Sequence, residues 1–358
     1  MRHSLLLIIS LCSYFLVHSQ IPAGYYNSAI GLKNDSLKTA LNDIIDGHIE
    51  FPYTSSSMDT WDVLKLADRD PTNSINVIGI YSNFSMNGPL EYNSAQGWSR
   101  EHVWAKSRGD FDTSPGIGTD LHNLRAEDVS TNTARNNRNF DYATVRYIDG
   151  SGNYFGSTDS YTSSTTWVWE PRDEVKGDIA RTIFYMDVRY EGENGELDLE
   201  LTDSILPQSS KLPLHGNALT LYQWHLADTV SIEERMRNDT IFKYQQNRNP
   251  FVDHPEFVEF IYKSIYGTVT ALPNLNKVQK KNDLSVYPNP SVGRFTISLK
   301  ESTIDHITII DLHGRIISNL KVEGLKTHSP AQIFKSGIYI VKVADSDGNL
   351  LFDRLIVQ

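Results

Sequence analysis

Ser99 to Phe140 reads SREHVWAKSRGDFDTSPGIGTDLHNLRAEDVSTNTARNNRNF, and the whole chain is best read outward from it. The stretch holds an adjacent acid and histidine (Glu101, His102), then a second histidine, His122, flanked by Asp120 and Asn123. An Asn- and Arg-rich run follows from Asn132 to Asn139. These are the ingredients that phosphodiester hydrolysis needs: a base to deprotonate water, oxygen donors for a hard cation, and arginines for phosphate.

Trp98 to Trp104 alternates imperfectly and predicts a strand ending at the Glu101-His102 pair. Asp120 to Leu124 predicts its short partner strand. Asp128 or Ser130 can cap a helix running through Arg138. On it Asn132 lies three residues before Arg135 and four before Asn136, so one face presents them together. Strand, strand, helix is the smallest scaffold that brings His102 and Asn132 to opposite sides of one cation. A histidine, with an ordinary pKa near ~6.5, can take a proton from water at neutral pH. A carboxylate and an amide oxygen leave most of an octahedral Mg²⁺ shell open for water and phosphate oxygens.

Helical patterns stand on either side. Asp35 or Ser36 can cap LKTALNDIIDGHI, in which Leu37, Leu41, Ile44 and Ile45 share a face. Gly177 to Tyr190 places Ile179, Ile183, Met186 and Tyr190 on one face. Ser231 with Glu234 forms a capping-box pattern, and Pro255 opens EFVEFIYKSIYG, which stops at Gly267. Thr268 to Asp283 is polar and lysine-bearing, a linker. From Leu284 the apolar period changes to two, in short strands separated by HG, SG and DG turns, which predicts a small β-sandwich. At the other end, a basic start and an apolar run from Leu5 to Val17 before Ser19 predict a secretory leader over residues 1–19, with an α+β unit over 20–267 and the small domain over 284–358.

The only cysteine, Cys12, falls inside that leader, so the mature protein has neither disulfides nor a CxxC zinc site. A hydrophobic content of 39% with 11% aromatics supplies sizeable cores, and stability must come from burying them. The formal charge of −11 opposes non-specific attraction of nucleic acid. Between Arg100 and Arg138, however, acids and bases balance, and a bound divalent cation would tip the local field positive.

The E-H pair, DLHNL and N-x-x-R-x-N occur in order within one stretch. KGDIARTIFYMDVRY (Lys176 to Tyr190), WHLAD from Trp224 and NRNPFVDHPEFVE (Asn247 to Glu259) follow. Together they resemble the endonuclease I family of secreted, non-specific nucleases, in the ββα-metal (His-Me finger) class. The resemblance implies an α+β fold, with a ββα-metal core embedded in helices, acting as a metal-dependent endonuclease. It makes His102 the general base, and Glu101 and Asn132 the ligands of Mg²⁺, with Ca²⁺ or Mn²⁺ as alternatives. Arg135 becomes the first phosphate clamp and Arg108 the second, while Asp120, His122 and Asn123 are structural or orienting. The implied substrate is DNA, with RNA as a second, and the implied products carry 5′-phosphates. YPNPSVGRFTI (Tyr287 to Ile297), SGIYIVKV (Ser336 to Val343) and the terminal LIVQ resemble the C-terminal sorting domain of type IX secretion. That implies the secretion machinery as partner, with release to the medium or anchoring at the cell surface; the mature form is expected to be a monomer without a membrane span.

Two rival functions belong to other classes. A surface adhesin on the same fold would need none of Glu101, His102 and Asn132. A zinc hydrolase would draw on His102, His122, His215 or His225, but the chain has no HExxH. Trp167 and Trp169 can stack on bases or pack in a strand, and Arg248, Asn249 and the DHPE turn can line a groove or cap a helix.

Overall fold

The computed structural model describes residues 21–266, 284–300, 302–311, 316–346 and 350–357. The expected leader and the linker from Thr268 to Asp283 lie outside them. The chain divides between Thr268 and Val269 into two compact units.

The first unit opens with α1 (Asn34–Ile45) and α2 (Thr60–Ala67), then the hairpin-like pair β1 (Asn76–Ile78) and β2 (Ser85–Asn87). α1 starts at Asn34, ahead of the expected Asp35 or Ser36, with no side-chain cap. Strands β3 (Trp98–His102) and β4 (Leu124–Asp128) pair antiparallel and lead into α3 (Val129–Arg135). β5 (Asn139–Phe140), β6 (Val145–Asp149), β7 (Gly156–Thr162) and β8 (Val168–Glu170) form a sheet in the order β5-β8-β7-β6. After α4 (Lys176–Arg189), β9 (Glu200–Leu201) pairs parallel with β10 (Leu214–His215). The unit closes with α5 (Ala218–Ala227), α6 (Ile232–Gln245), α7 (Pro250–Asp253) and α8 (Glu256–Tyr266).

The partner of β3 is Leu124–Asp128, not Asp120–Leu124: Trp98 faces Asp128 and His102 faces Leu124. The reason lies in Asp120. Its buried carboxylate accepts hydrogen bonds from Tyr185 and Tyr190 (2.8 and 3.0 Å), the Gln245 amide (2.8 Å) and the His122 backbone (2.9 Å). Four donors hold DLHN as a turn, and pairing starts only after it. Asp128 then caps α3, accepting from the Ser130 and Thr131 backbones at 2.9 and 3.0 Å. The helix is shorter than expected. It stops at Arg135 because Asn136 turns to φ +54°, so Arg138 stands beyond it.

α4 is also more deeply set than its one-faced pattern predicts. Every residue from Gly177 to Arg189 is buried. A helix enclosed on all sides must pair its charges internally. Arg181 grips Glu234 at 2.6 and 2.7 Å, Arg189 meets Asp46 and Glu196, and Asp187 accepts from Tyr262. The Arg181 pair takes the Glu234 carboxylate away from the capping box. Only half of the box forms, with Ser231 Oγ accepting from the Glu234 backbone at 3.0 Å.

The second unit has one sheet of β11 (Leu284–Tyr287), β12 (Thr296–Leu299) and β15 (Thr327–His328). Its other sheet runs β14 (Ile316–Leu325), β13 (Ile304–Asp311), β16 (Gly337–Asp345), β17 (Leu350–Val357). Val286, Ile297 and Leu299 from the first meet Ile307, Ile309, Val341, Val343 and Leu355 from the second in one apolar core, a sandwich.

Candidate active site

Along β3 the side chains alternate between two faces. Arg100 and His102 share one. The Arg100 guanidinium lies 3.3 Å over the Tyr53 ring and 3.9 Å over Trp61, and the His102 ring stacks on Tyr53 at 5.9 Å and 24°. His102 Nε2 is 2.9 Å from the Gly118 carbonyl. A carbonyl can only accept, so Nε2 carries the proton and Nδ1 keeps its lone pair, with no protein partner among the described residues. The ring is 6% exposed, and burial depresses its pKa to about 3, so the imidazole is neutral at neutral pH.

Ser99 and Glu101 lie on the other face, toward α3. Glu101, 2% exposed, accepts from Tyr81 OH at 2.8 Å and Arg135 Nη1 at 2.9 Å, both on Oε1. Burial pushes its carboxyl up to about 7 against the pull of Arg135. Asn132 donates through Nδ2 to Ser99 Oγ at 2.9 Å, which fixes the amide and leaves its carbonyl oxygen without a protein partner among the described residues. Glu101 Oε2 is likewise unpartnered among them, both of its carboxylate's donors lying on Oε1. One carboxylate oxygen and one amide oxygen suit a hard divalent cation that keeps several waters. Among the described residues no three His, Cys, Asp or Glu side chains gather as a metal site. The histidines of the zinc reading go separate ways: His122 to Asn247 O, His225 to Pro255 O, and His215 to Arg135.

The two expected phosphate clamps are not presented to a substrate. Arg135 is wholly enclosed. Its terminal nitrogens bind Glu101, the His102 and Val103 carbonyls (3.0 and 2.6 Å) and His215 Nε2 (3.0 Å). Arg108, equally buried, donates to the carbonyls of Asn137, Leu206, Pro207 and Ser210. Both brace the site from beneath. Asn123 clasps the Trp104 backbone on both sides, accepting from its N–H (2.6 Å) and donating to its carbonyl (3.2 Å), and so locks the chain as it leaves His102. His122 packs against Tyr185 behind the Asp120 turn. Arg248, buried, pairs with Asp239 and Asp253.

Tyr53, Tyr81, Ser99 and Gly118 serve the site without any spacing that marks them in the sequence. A cavity of about 590 Å³, lined by Asp68, Arg125, Arg172, Asp178 and Glu234 among others, contains none of Glu101, His102 and Asn132. Its charges largely pair with one another, Arg125 with Asp68 and Asp178, and Arg237 with Asp68.

Residues 33–256 match the family described as Endonuclease I, and residues 285–358 match the Secretion system C-terminal sorting domain. The first match spans more than half of the chain, which therefore belongs to the endonuclease I family. Over 239 residues it is 47% identical to the extracellular ribonuclease of Bacillus subtilis (strain 168), covering 66% of this chain and 78% of that one. It is 45% identical to the extracellular ribonuclease of Bacillus amyloliquefaciens over the same shares. An endo-acting ulvan lyase of Formosa agariphila is 30% identical over 122 residues, 28% of this chain and 23% of the lyase. The protein is a nuclease, and its type IX sorting domain makes it secreted or held at the cell surface. No helix among the described residues is long and apolar enough to cross a membrane.

Proposed function

We propose that this nuclease is a metal-dependent endonuclease of the ββα-metal class that hydrolyses RNA and DNA without sequence selection, using His102 as general base. The supporting observation is the fixed tautomer: Gly118 O holds the Nε2 proton and leaves Nδ1 bare at the end of β3. Nδ1 takes the proton of a water, whose oxygen attacks phosphorus; the bond from phosphorus to the 3′ oxygen breaks, that oxygen takes a proton from solvent to become a 3′-hydroxyl, and a 5′-phosphate remains. The substrate phosphate, an anion brought beside the ring, raises the ring's affinity for that proton. Tyr53 keeps the imidazole in plane, and Tyr81 with Arg135 holds Glu101 by one oxygen. Glu101 Oε2 and Asn132 Oδ1 would hold Mg²⁺, which supplies positive charge against the phosphate and the leaving oxygen. The extracellular ribonucleases support RNA as a substrate, and the resemblance to non-specific nucleases supports DNA beside it.

The decisive assay follows RNA degradation and plasmid nicking with Mg²⁺, with and without EDTA, for the wild type and His102→Ala. EDTA should abolish both activities, and His102→Ala should lower turnover by about 10²–10⁴ with an unchanged melting temperature. Cleavage that survives EDTA removes the metal from the mechanism, and an unaffected His102→Ala removes the base. An adhesin on this fold would cleave neither substrate.

A further inference from the structure

With Arg135 and Arg108 enclosed, the strand that enters this site needs another cation. Most arginines and lysines of the first unit are tied to carboxylates or backbone carbonyls. Arg138 differs. Its guanidinium carbon lies 3.8 Å over the Trp167 ring, and Nε donates to the Ala134 carbonyl at 3.2 Å. Its terminal nitrogens have no protein partner among the described residues, and the side chain is half-buried.

Trp167 is fixed to match. Its indole N–H donates to Asn137 Oδ1 at 2.7 Å, while Asn137 Nδ2 donates to Ser107 Oγ and the Gln208 carbonyl, both at 2.8 Å. Arg108 in turn holds the Asn137 carbonyl at 2.8 Å. Asn137 therefore ties the stack to the two chain segments that flank the site, the one leaving Asn132 and the one leaving His102. Trp169, two residues on, is fully buried, whereas Trp167 is only partly buried. A guanidinium stacked on an indole is weakly hydrated and keeps its in-plane donors free for a phosphate. An indole beside it offers a stacking surface that accepts any base.

We infer that Arg138 and Trp167 form a strand-positioning platform beside the cleavage site, Arg138 taking a backbone phosphate and Trp167 an unstacked base of a single-stranded nucleic acid. The inference rests on the nuclease reading and adds to it where the strand lies. The test uses the full chain with Arg138→Ala, Arg138→Lys and Trp167→Ala, on a long single strand and on bis(p-nitrophenyl) phosphate, which has one phosphate and no base. On the long strand KM should rise about 10-fold for each alanine variant, with a several-fold smaller loss of kcat/KM on the small diester. Arg138→Ala should flatten the logarithmic salt dependence by about 0.7, the share of one single-strand phosphate, while Arg138→Lys keeps it. Equal losses on both substrates, or an unchanged KM on the strand, overturn the platform. Binding of a labelled oligonucleotide in a His102→Ala background is independent of cleavage. Affinity weakened by Arg138→Ala supports the platform even if no hydrolysis occurs, and unchanged affinity refutes it.

Discussion

Arg135 binds a buried carboxylate, three carbonyls and a histidine through its terminal nitrogens, so its removal strands several polar groups at once. Arg135→Met should therefore cost about 3–5 kcal/mol in chemical denaturation, the range for breaking a buried pair. The salt dependence of any remaining activity should stay as in the wild type. A stable variant with a flattened salt slope would restore Arg135 as a phosphate clamp. Ser99 acts at one remove, because its hydroxyl orients the Asn132 amide. Ser99→Ala should raise the Mg²⁺ concentration for half-maximal activity about 10-fold, as loss of an orienting partner does, with little change in melting. An unmoved metal titration would show that Asn132 is not a ligand or needs no orientation.

The loop between β3 and β4 is the element that fixes His102, the proposed base. Gly118 brings its carbonyl to His102, and its backbone runs so close to Asp112 that an added Cβ would lie 2.1 Å from the Asp112 carbonyl oxygen. No side chain there can yield, so the loop itself must move. Gly118→Ala should lower kcat by about 10²-fold, the penalty for a displacement near 1 Å at a reacting group, while far-ultraviolet dichroism stays unchanged. Wild-type turnover in this variant would mean that the Gly118 carbonyl does not set the tautomer. The Asp120 turn works at the same scale, since its four donors delay strand pairing until Leu124 and thereby set His102 opposite that residue.

Among the described residues each unit has its own apolar core, within Tyr26 to Tyr262 in the first and Val286 to Val357 in the second. Every residue assigned to chemistry lies in the first. A chain ending at Tyr266 should keep kcat/KM within about twofold, since a domain with its own core folds alone. Loss of activity on truncation would make the tail part of the enzyme. Acid stability is the second test at this scale. Burial, aided by the charge of Arg181, lowers the pKa of His225 to about 4, below the ordinary ~6.5. The folded state stores it neutral, so its contribution is complete above pH ~6.5 and is lost as pH falls toward 4, up to about 3 kcal/mol. Glu127 and Glu234, raised to about 7 by burial, act in the opposite sense. They are common to both proteins, so the difference between wild type and His225→Gln isolates the histidine. Melting temperatures measured from pH 7 to 4 should fall faster for the wild type; parallel curves would refute a stored neutral ring.

What the sequence determined by itself are the features written in local period and adjacency. The two-residue apolar period from Leu284 predicts the strands of the second unit, a helical period marks α1 and α4, and end signals at Ser231, Glu234 and Pro255 mark α6 and α8. The E-H pair and the Asn132 helix set strand before helix at the site. The tertiary structure alone decided which charges face solvent. Arg135 and Arg138 stand three residues apart with like flanks, yet one is sealed beneath Glu101 and the other lies over Trp167. Burial depends on what packs above a residue, and its neighbours in sequence do not carry that information. Tyr81, twenty positions before Glu101, and the Gly118 carbonyl, sixteen after His102, reach the site only through the folded chain. A carbonyl is present at every residue, so only the loop's path could single that one out.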